Sequence, residues 1–202
     1  MKRILWSVLL TLALPMAALA TNQVDFTNSG GVLSGSSAGL SLTGSELIAV
    51  NGLNGMGLVT GDLGSVSFST GMLVTGDLQN GATFAAGGSF MITGNGANGI
   101  PNGVIFSGTF SGPVSWTIVN LVDGTHNYTL SGAITGTWSN GATVNGATVQ
   151  LTINTGKGFF DGQTTISSGD TNISTVPEPG TLVLLGTGLV GLGGILRRRV
   201  KP

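Results

Sequence analysis

An all-β fold is predicted for the central part of this chain: a single β-sandwich or barrel-like domain of mostly antiparallel strands. Three observations predict it. Apolar and hydroxyl-bearing residues alternate over several runs, tight-turn dipeptides separate those runs, and no segment between them carries a helical period. Alternation with period two is the mark of a strand with one face buried and one face wet.

The longest run is Tyr128-Thr129-Leu130-Ser131-Gly132-Ala133-Ile134-Thr135-Gly136-Thr137-Trp138. One face holds Tyr128, Leu130, Gly132, Ile134, Gly136 and Trp138, and the other Thr129, Ser131, Ala133, Thr135 and Thr137. Val149, Leu151 and Ile153 alternate with Thr148, Gln150, Thr152 and Asn154, while Phe106 and Phe110 flank Ser107 and Thr109. Val66 and Phe68 alternate with Ser65, Ser67 and Ser69. Asn51-Gly52, Asn80-Gly81, Asn102-Gly103, Asp123-Gly124, Asn140-Gly141, Asn145-Gly146 and Asp161-Gly162 punctuate the runs. Such pairs suit the left-handed backbone of two-residue hairpins. At about 3.3 Å per residue the 128–138 run is longer than a usual strand, so a bulge or bend is expected near Gly132 or Gly136. A β-solenoid is the alternative architecture. LVTGDL recurs at 58–63 and 73–78, and FSGTFSG at 106–112 is echoed by LSGAITG at 130–136. A solenoid needs one period sustained over three or more units, and these are two periods with two copies each.

The two ends have a different composition. Residues 1–20 begin with Lys2 and Arg3, continue through an apolar stretch at 4–14, and close on Ala18-Leu19-Ala20. This is the layout of a secretory signal helix cleaved after Ala20, with Ala18 and Ala20 forming the small-x-small site. It implies the Sec export machinery and signal peptidase as partners. At the other end, residues 180–196 form an uncharged, glycine-rich apolar run that stops at Arg197-Arg198-Arg199. Its 17 residues reach the lower limit for a transmembrane helix. The arginines act as a stop-transfer cluster that stays on the cytoplasmic side, which leaves the body on the export side and the chain held in the inner membrane. The predicted organisation is therefore a signal peptide at 1–20, an exported all-β domain at 21–175 and a tail at 176–202.

Charge is divided the same way. Six of the seven bases lie in the two ends, and Lys157 is the single one between residues 21 and 176. That span carries seven carboxylates, Asp25, Glu46, Asp62, Asp77, Asp123, Asp161 and Asp170, for a formal charge of −6. Such a surface has no basic footprint for nucleic acid and repels anionic lipid. There is no cysteine, which excludes disulfides and thiolate chemistry.

Several short motifs fail on context. Gly35-Ser36-Ser37-Ala38-Gly39 has the G-x-S-x-G spacing, but the next residues alternate as a strand where a nucleophile elbow needs a helix. His126, the one histidine, follows the Asp123-Gly124 turn and reads as a hairpin residue. Gly94-Asn95-Gly96-Ala97-Asn98-Gly99 matches G-x-G-x-x-G without a βαβ unit around it. Asp62 and Asp77 occupy equal places in the LVTGDL copies, but two carboxylates fall short of the six to eight oxygens that Ca²⁺ takes. No catalytic, metal or cofactor-binding residue is expected.

Val176-Pro177-Glu178-Pro179, followed by the apolar run and then Arg197-Arg198-Arg199, resembles the PEP-CTERM sorting signal of Gram-negative bacteria. The resemblance covers the last 27 residues. It implies recognition and removal of the tail by an exosortase, an integral membrane enzyme, and release of the body to the cell surface or an exopolysaccharide matrix. The same kind of tail occurs on some ice-binding proteins. Residues 21–175 are then expected to be a non-catalytic surface or matrix protein. The alternatives are a glycan-binding module, for which Trp116, Trp138 and Tyr128 are the large amphipathic aromatics, or an ice-binding surface on Thr129, Thr135 and Thr137. Trp138 and Tyr128, however, share a face with Leu130 and Ile134 and are expected to pack in the core. A secreted hydrolase is the least supported, Glu46 being the one glutamate in the body.

Overall fold

The computed structural model describes residues 22–175. Ala18 and Ala20 of the signal segment, the Val176-Pro177-Glu178-Pro179 motif, the apolar run at 180–196 and Arg197 to Arg199 lie outside the described residues. Fourteen strands follow in order: β1 (Asn22–Ser29), β2 (Val32–Ser36), β3 (Gly39–Asn51), β4 (Val59–Thr60), β5 (Gly64–Ser69), β6 (Leu73–Asp77), β7 (Gly81–Phe84), β8 (Gly87–Asn95), β9 (Asn102–Phe110), β10 (Val114–Asn120), β11 (His126–Trp138), β12 (Thr143–Asn154), β13 (Gln163–Thr165) and β14 (Ser168–Thr175).

Eight of them close a ring in the order β12, β14, β1, β3, β5, β8, β9 and β11, and the β11–β12 pairing completes it. The architecture is a closed antiparallel barrel with extra strands, of the barrel kind expected, and not a solenoid. Closure removes the free edges that an open sheet would leave. The two LVTGDL copies are not successive coils. The first contributes β4, which pairs β3, and the second contributes β6, which pairs β7.

Two 13-residue strands serve both the barrel and its additions. Residues 134–138 of β11 pair β9, whereas residues 126–131 pair β10, which leads on to β7 and β6. Gly132 sits where the partner changes. A Cβ there would lie 2.8 Å from Cδ1 of Phe110, the end of β9, and 3.3 Å from Cγ2 of Val114, the start of β10. The absent side chain lets two strand ends converge on one position. The bulge expected near Gly132 or Gly136 falls between Ile134 and Thr135, and the extra residue is Gly146 on the partner strand β12, at φ +95°. At Gly136 a Cβ would collide with the Ser107 carbonyl oxygen and the Phe106 ring, so β9 and β11 approach closely there.

Inward-facing residues fill the barrel with aromatic rings. Phe90 meets Phe106 and Phe110 edge-on, Phe68 meets Phe110 edge-on, and Trp138 lies between Phe26 and Phe106. A second cluster packs under β7, β10 and β11. Trp116 and Tyr128 stack at 5.0 Å between centroids, and Phe160 closes on Trp116 at 5.3 Å. The faces alternate as the sequence predicts: Tyr128, Leu130 and Ile134 are buried, while Ser131, Ala133 and Thr137 are exposed. Apolar inside and hydroxyl outside is the inverse of the pattern that lipid demands of a membrane-spanning barrel. Among the described residues no helix is long and apolar enough to cross a membrane.

Candidate functional site

The register places hydroxyl and amide side chains in continuous rows on the outer wall. One row runs Thr75, Thr83, Ser115, Ser131, Gln150, Asp170 across β6, β7, β10, β11, β12 and β14. The next runs Thr117, Thr129, Thr152, Ser168, and a third Ala133, Thr148, Asn172. Directly opposed residues of antiparallel strands share a face, so each row is a surface ladder with a step of about 4.8 Å between strands. All ten residues of the first two rows are exposed or half-buried. Where β6, β7 and β10 meet, a shallow depression of about 370 Å³ opens between Thr75, Asn80, Thr83, Ser115 and Thr117. Its rim offers hydroxyl and amide groups that both donate and accept hydrogen bonds. Asp170 is the one charge in these rows.

Sequence reasoning placed the surface threonines on one strand, as Thr129, Thr135 and Thr137. The structure joins Thr129 to Thr117 and Thr152 on its neighbours, and puts Thr135 beside Thr109 and Thr137 beside Ser107 on the β9 side. Short serine- and threonine-rich stretches carry that information only once pairing is known. The amphipathic aromatics do not reach this surface. Trp116 and Tyr128 are fully buried. Trp116 Nε1 donates to the Leu78 carbonyl at 2.9 Å, and the Tyr128 hydroxyl donates to the Gln79 carbonyl at 2.8 Å while accepting from Phe160 N at 3.1 Å. Trp138 packs against the barrel core. All three are structural, with their polar atoms or rings committed to the interior, and a glycan role for Trp116 is overturned on that ground.

The remaining short motifs resolve into turns. Ser36 pairs Gly39 across the β2–β3 hairpin, and Ser36 Oγ accepts from Ala38 N at 3.1 Å, so Ser37 sits in a hairpin turn. Residues 97–99 are a single 3₁₀ turn between β8 and β9. Asp62 and Asp77 lie at opposite ends of the domain. Asp62 Oδ1 accepts from Asn95 Nδ2 at 3.0 Å, near the end of β8. Asp77 Oδ1 accepts from Gln79 N and Asn80 N at 2.8 and 2.7 Å in the β6–β7 turn. The Asn80 amide and backbone bonds hold the Asp77 carboxyl below its usual range, and the Thr125 backbone and hydroxyl do the same for Asp123. Asp25 is pushed up by partial burial and then by the nearby Asp170. Among the described residues no three acidic or histidine side chains converge as a metal site would require.

Sequence reasoning missed a contact at the β10–β11 end. His126 stacks on Phe159 at 4.3 Å between centroids and 17° between planes. The hint was Gly158-Phe159-Phe160-Asp161-Gly162, two aromatics inside a glycine-bounded loop, of which Phe160 is buried and Phe159 is 50% exposed.

The described barrel carries a wall and a stacked end, but its address is written in the residues that follow it. Residues 175–199 match the family model of the PEP-CTERM protein-sorting motif. The chain carries a PEP-CTERM sorting signal. The motif implies export, sorting to the membrane or cell surface, and processing by an exosortase. It covers the tail alone and leaves the barrel's activity to be read from its own surface. No curated protein and no solved structure matches the chain at a significant level.

Proposed function

We propose that the exported barrel is a non-catalytic surface or extracellular-matrix protein that lies against exopolysaccharide through its hydroxyl-rich wall. The observation that carries this reading is the row from Thr75 to Asp170, six strands wide. Polysaccharide is a polymer of hydroxyls, and a ladder of Ser, Thr and Gln side chains at strand spacing exchanges hydrogen bonds with it along its length. The commitment of Asp77 and Asp123 to turn-forming hydrogen bonds, and of Asp62 to the Asn95 amide, supports the non-catalytic part.

An ice-binding wall uses the same residue types, but a crystal face is planar. Adjacent strands rotate by roughly 20–25°, so a wall six strands wide turns through about 100°. A flexible polymer follows that curvature and a lattice plane does not, which favours polysaccharide. The test is a triple substitution, Thr117→Glu, Thr129→Glu and Thr152→Glu, in the producing cells. Retention of the exported protein in the matrix should fall severalfold with the circular dichroism of the barrel unchanged. Unchanged retention refutes the reading. Ice recrystallisation inhibited by the wild-type protein and lost in the triple variant, with retention untouched, replaces it by ice binding.

A further inference from the structure

One end of the barrel is built in a way the wall does not explain. The loop after β12 folds back on the first residue of β11 and is fixed to it from both sides. His126 N donates to the Gly156 carbonyl at 2.8 Å, and Thr155 N donates to the His126 carbonyl at 3.0 Å. Thr155 Oγ1 donates to the Gly158 carbonyl at 2.6 Å, and Gly156 N donates to Asn154 Oδ1 at 2.8 Å. The loop therefore holds Phe159 flat on the His126 ring while leaving half of it in solvent. His126 Nδ1 lies 2.8 Å from Asn120 Oδ1. An amide oxygen only accepts, so Nδ1 donates to it, and Nε2 is the ring nitrogen left for another partner. Lys157 stands exposed in the same loop.

Lys157 and His126 are the one lysine and the one histidine between residues 21 and 176, and the fold brings them to one end. Of the carboxylates near this end in sequence, Asp123 is held in its own turn, where its Oδ1 accepts from Thr125 N and Oγ1. Asp161 borders a separate hollow with Asp77.

The geometry points to a second binding site here, for an acidic sugar residue of an extracellular polysaccharide. The C–H face of the sugar lies on Phe159, its carboxylate meets Lys157, and a hydroxyl reaches His126 Nε2. An exposed aromatic ring that is already stacked and immobilised costs little ordering on binding, and a carboxylate on an ammonium is a charge-assisted contact. The acidic class follows from charge: a uronate polymer is repelled by the carboxylates elsewhere on this −6 body and finds its cation at this end. The inference rests on the polysaccharide reading and names the chemistry of the polymer.

The test uses the full chain in detergent micelles, with immobilised polygalacturonate and dextran as acidic and neutral probes. Lys157→Glu should weaken binding to polygalacturonate about tenfold or more, as expected for losing one charge-assisted contact. Lys157→Arg should restore it, Phe159→Ser should also weaken it, and none should change retention on dextran. Wild-type protein that ignores polygalacturonate, or binding that survives Lys157→Glu, overturns the proposal. Loss of binding to bicelles containing phosphatidylglycerol in Lys157→Glu, without any polygalacturonate binding, also overturns it and makes this end a lipid contact. The wall reading fails separately: the Thr117, Thr129, Thr152 triple variant would then stay in the matrix while polygalacturonate still binds through Lys157.

Discussion

Valine at position 132 tests the core of the fold. A Cβ there would lie 2.8 and 2.9 Å from Cδ1 and Cε1 of Phe110 and 3.3 Å from Cγ2 of Val114, so the three carbons of a valine side chain have no free volume to enter. Phe110 cannot swing aside cheaply, because it is buried and meets Phe68 and Phe90 edge-on at 5.8 and 6.2 Å. Overpacking of this kind costs about 1–3 kcal/mol. For a domain of this size each kcal/mol lowers the melting temperature by about 2–4 °C, so a fall of roughly 2–12 °C is expected. The control is Thr135→Lys on the opposite face, where an ordinary surface site costs within about 0.5 kcal/mol. Thermal melts followed by near-ultraviolet circular dichroism read both variants, since the Trp116–Tyr128 stack and the phenylalanine cluster supply the signal. A silent Gly132→Val together with an unfolded Thr135→Lys would show that β11 faces the other way, and a far-ultraviolet spectrum dominated by helix would refute the barrel itself.

Tyr128→Phe leaves the Gln79 carbonyl and the Phe160 N–H without the hydroxyl that serves both, and should cost about 1–3 kcal/mol in urea denaturation. For Asp25, whose carboxyl is raised in the folded state, stability is lost as pH rises through the window between its unfolded and folded values; Asp25→Asn should therefore raise the melting temperature at pH 7 and have no effect well below that window. Asp77 and Asp123 have the opposite sign, their contribution being present at neutral pH and lost as pH falls through their depressed folded values, so Asp77→Asn should flatten the acid limb of the stability curve. Edman sequencing of the exported protein should begin at Thr21, and a start at Met1 would refute the signal peptide. Replacing Arg197, Arg198 and Arg199 together by serine should weaken membrane retention and change the processed fragment in a host with the exosortase; identical fragments would refute their stop-transfer role.

The alternation from Tyr128 to Trp138 determined strand, face and burial for that segment, because a period of two is a local property of the extended backbone. Asp123-Gly124 and Asn140-Gly141 marked turns for the same reason: left-handed backbone is a preference of single residues, as Gly124 and Gly141 show with φ of +78° and +85°. Asn145-Gly146, expected as a turn, is instead the bulge inside β12, with Gly146 at φ +95°. The sorting tail was legible because its recognition depends on a contiguous motif, an apolar length and a basic cluster, all of which are linear. Tertiary structure alone decided that the sheet closes through β11 and β12, that Gly132 is the point where β11 exchanges β10 for β9, and that Trp116 belongs to the interior. It also decided that Thr75 and Asp170, 95 positions apart in the chain, end one surface row, and that His126 meets Phe159 across a hairpin. These are consequences of pairing between distant strands. Many Ser- and Thr-rich runs have the same local pattern, and which of them become neighbours is set by how the aromatic side chains of all the strands pack together inside the barrel.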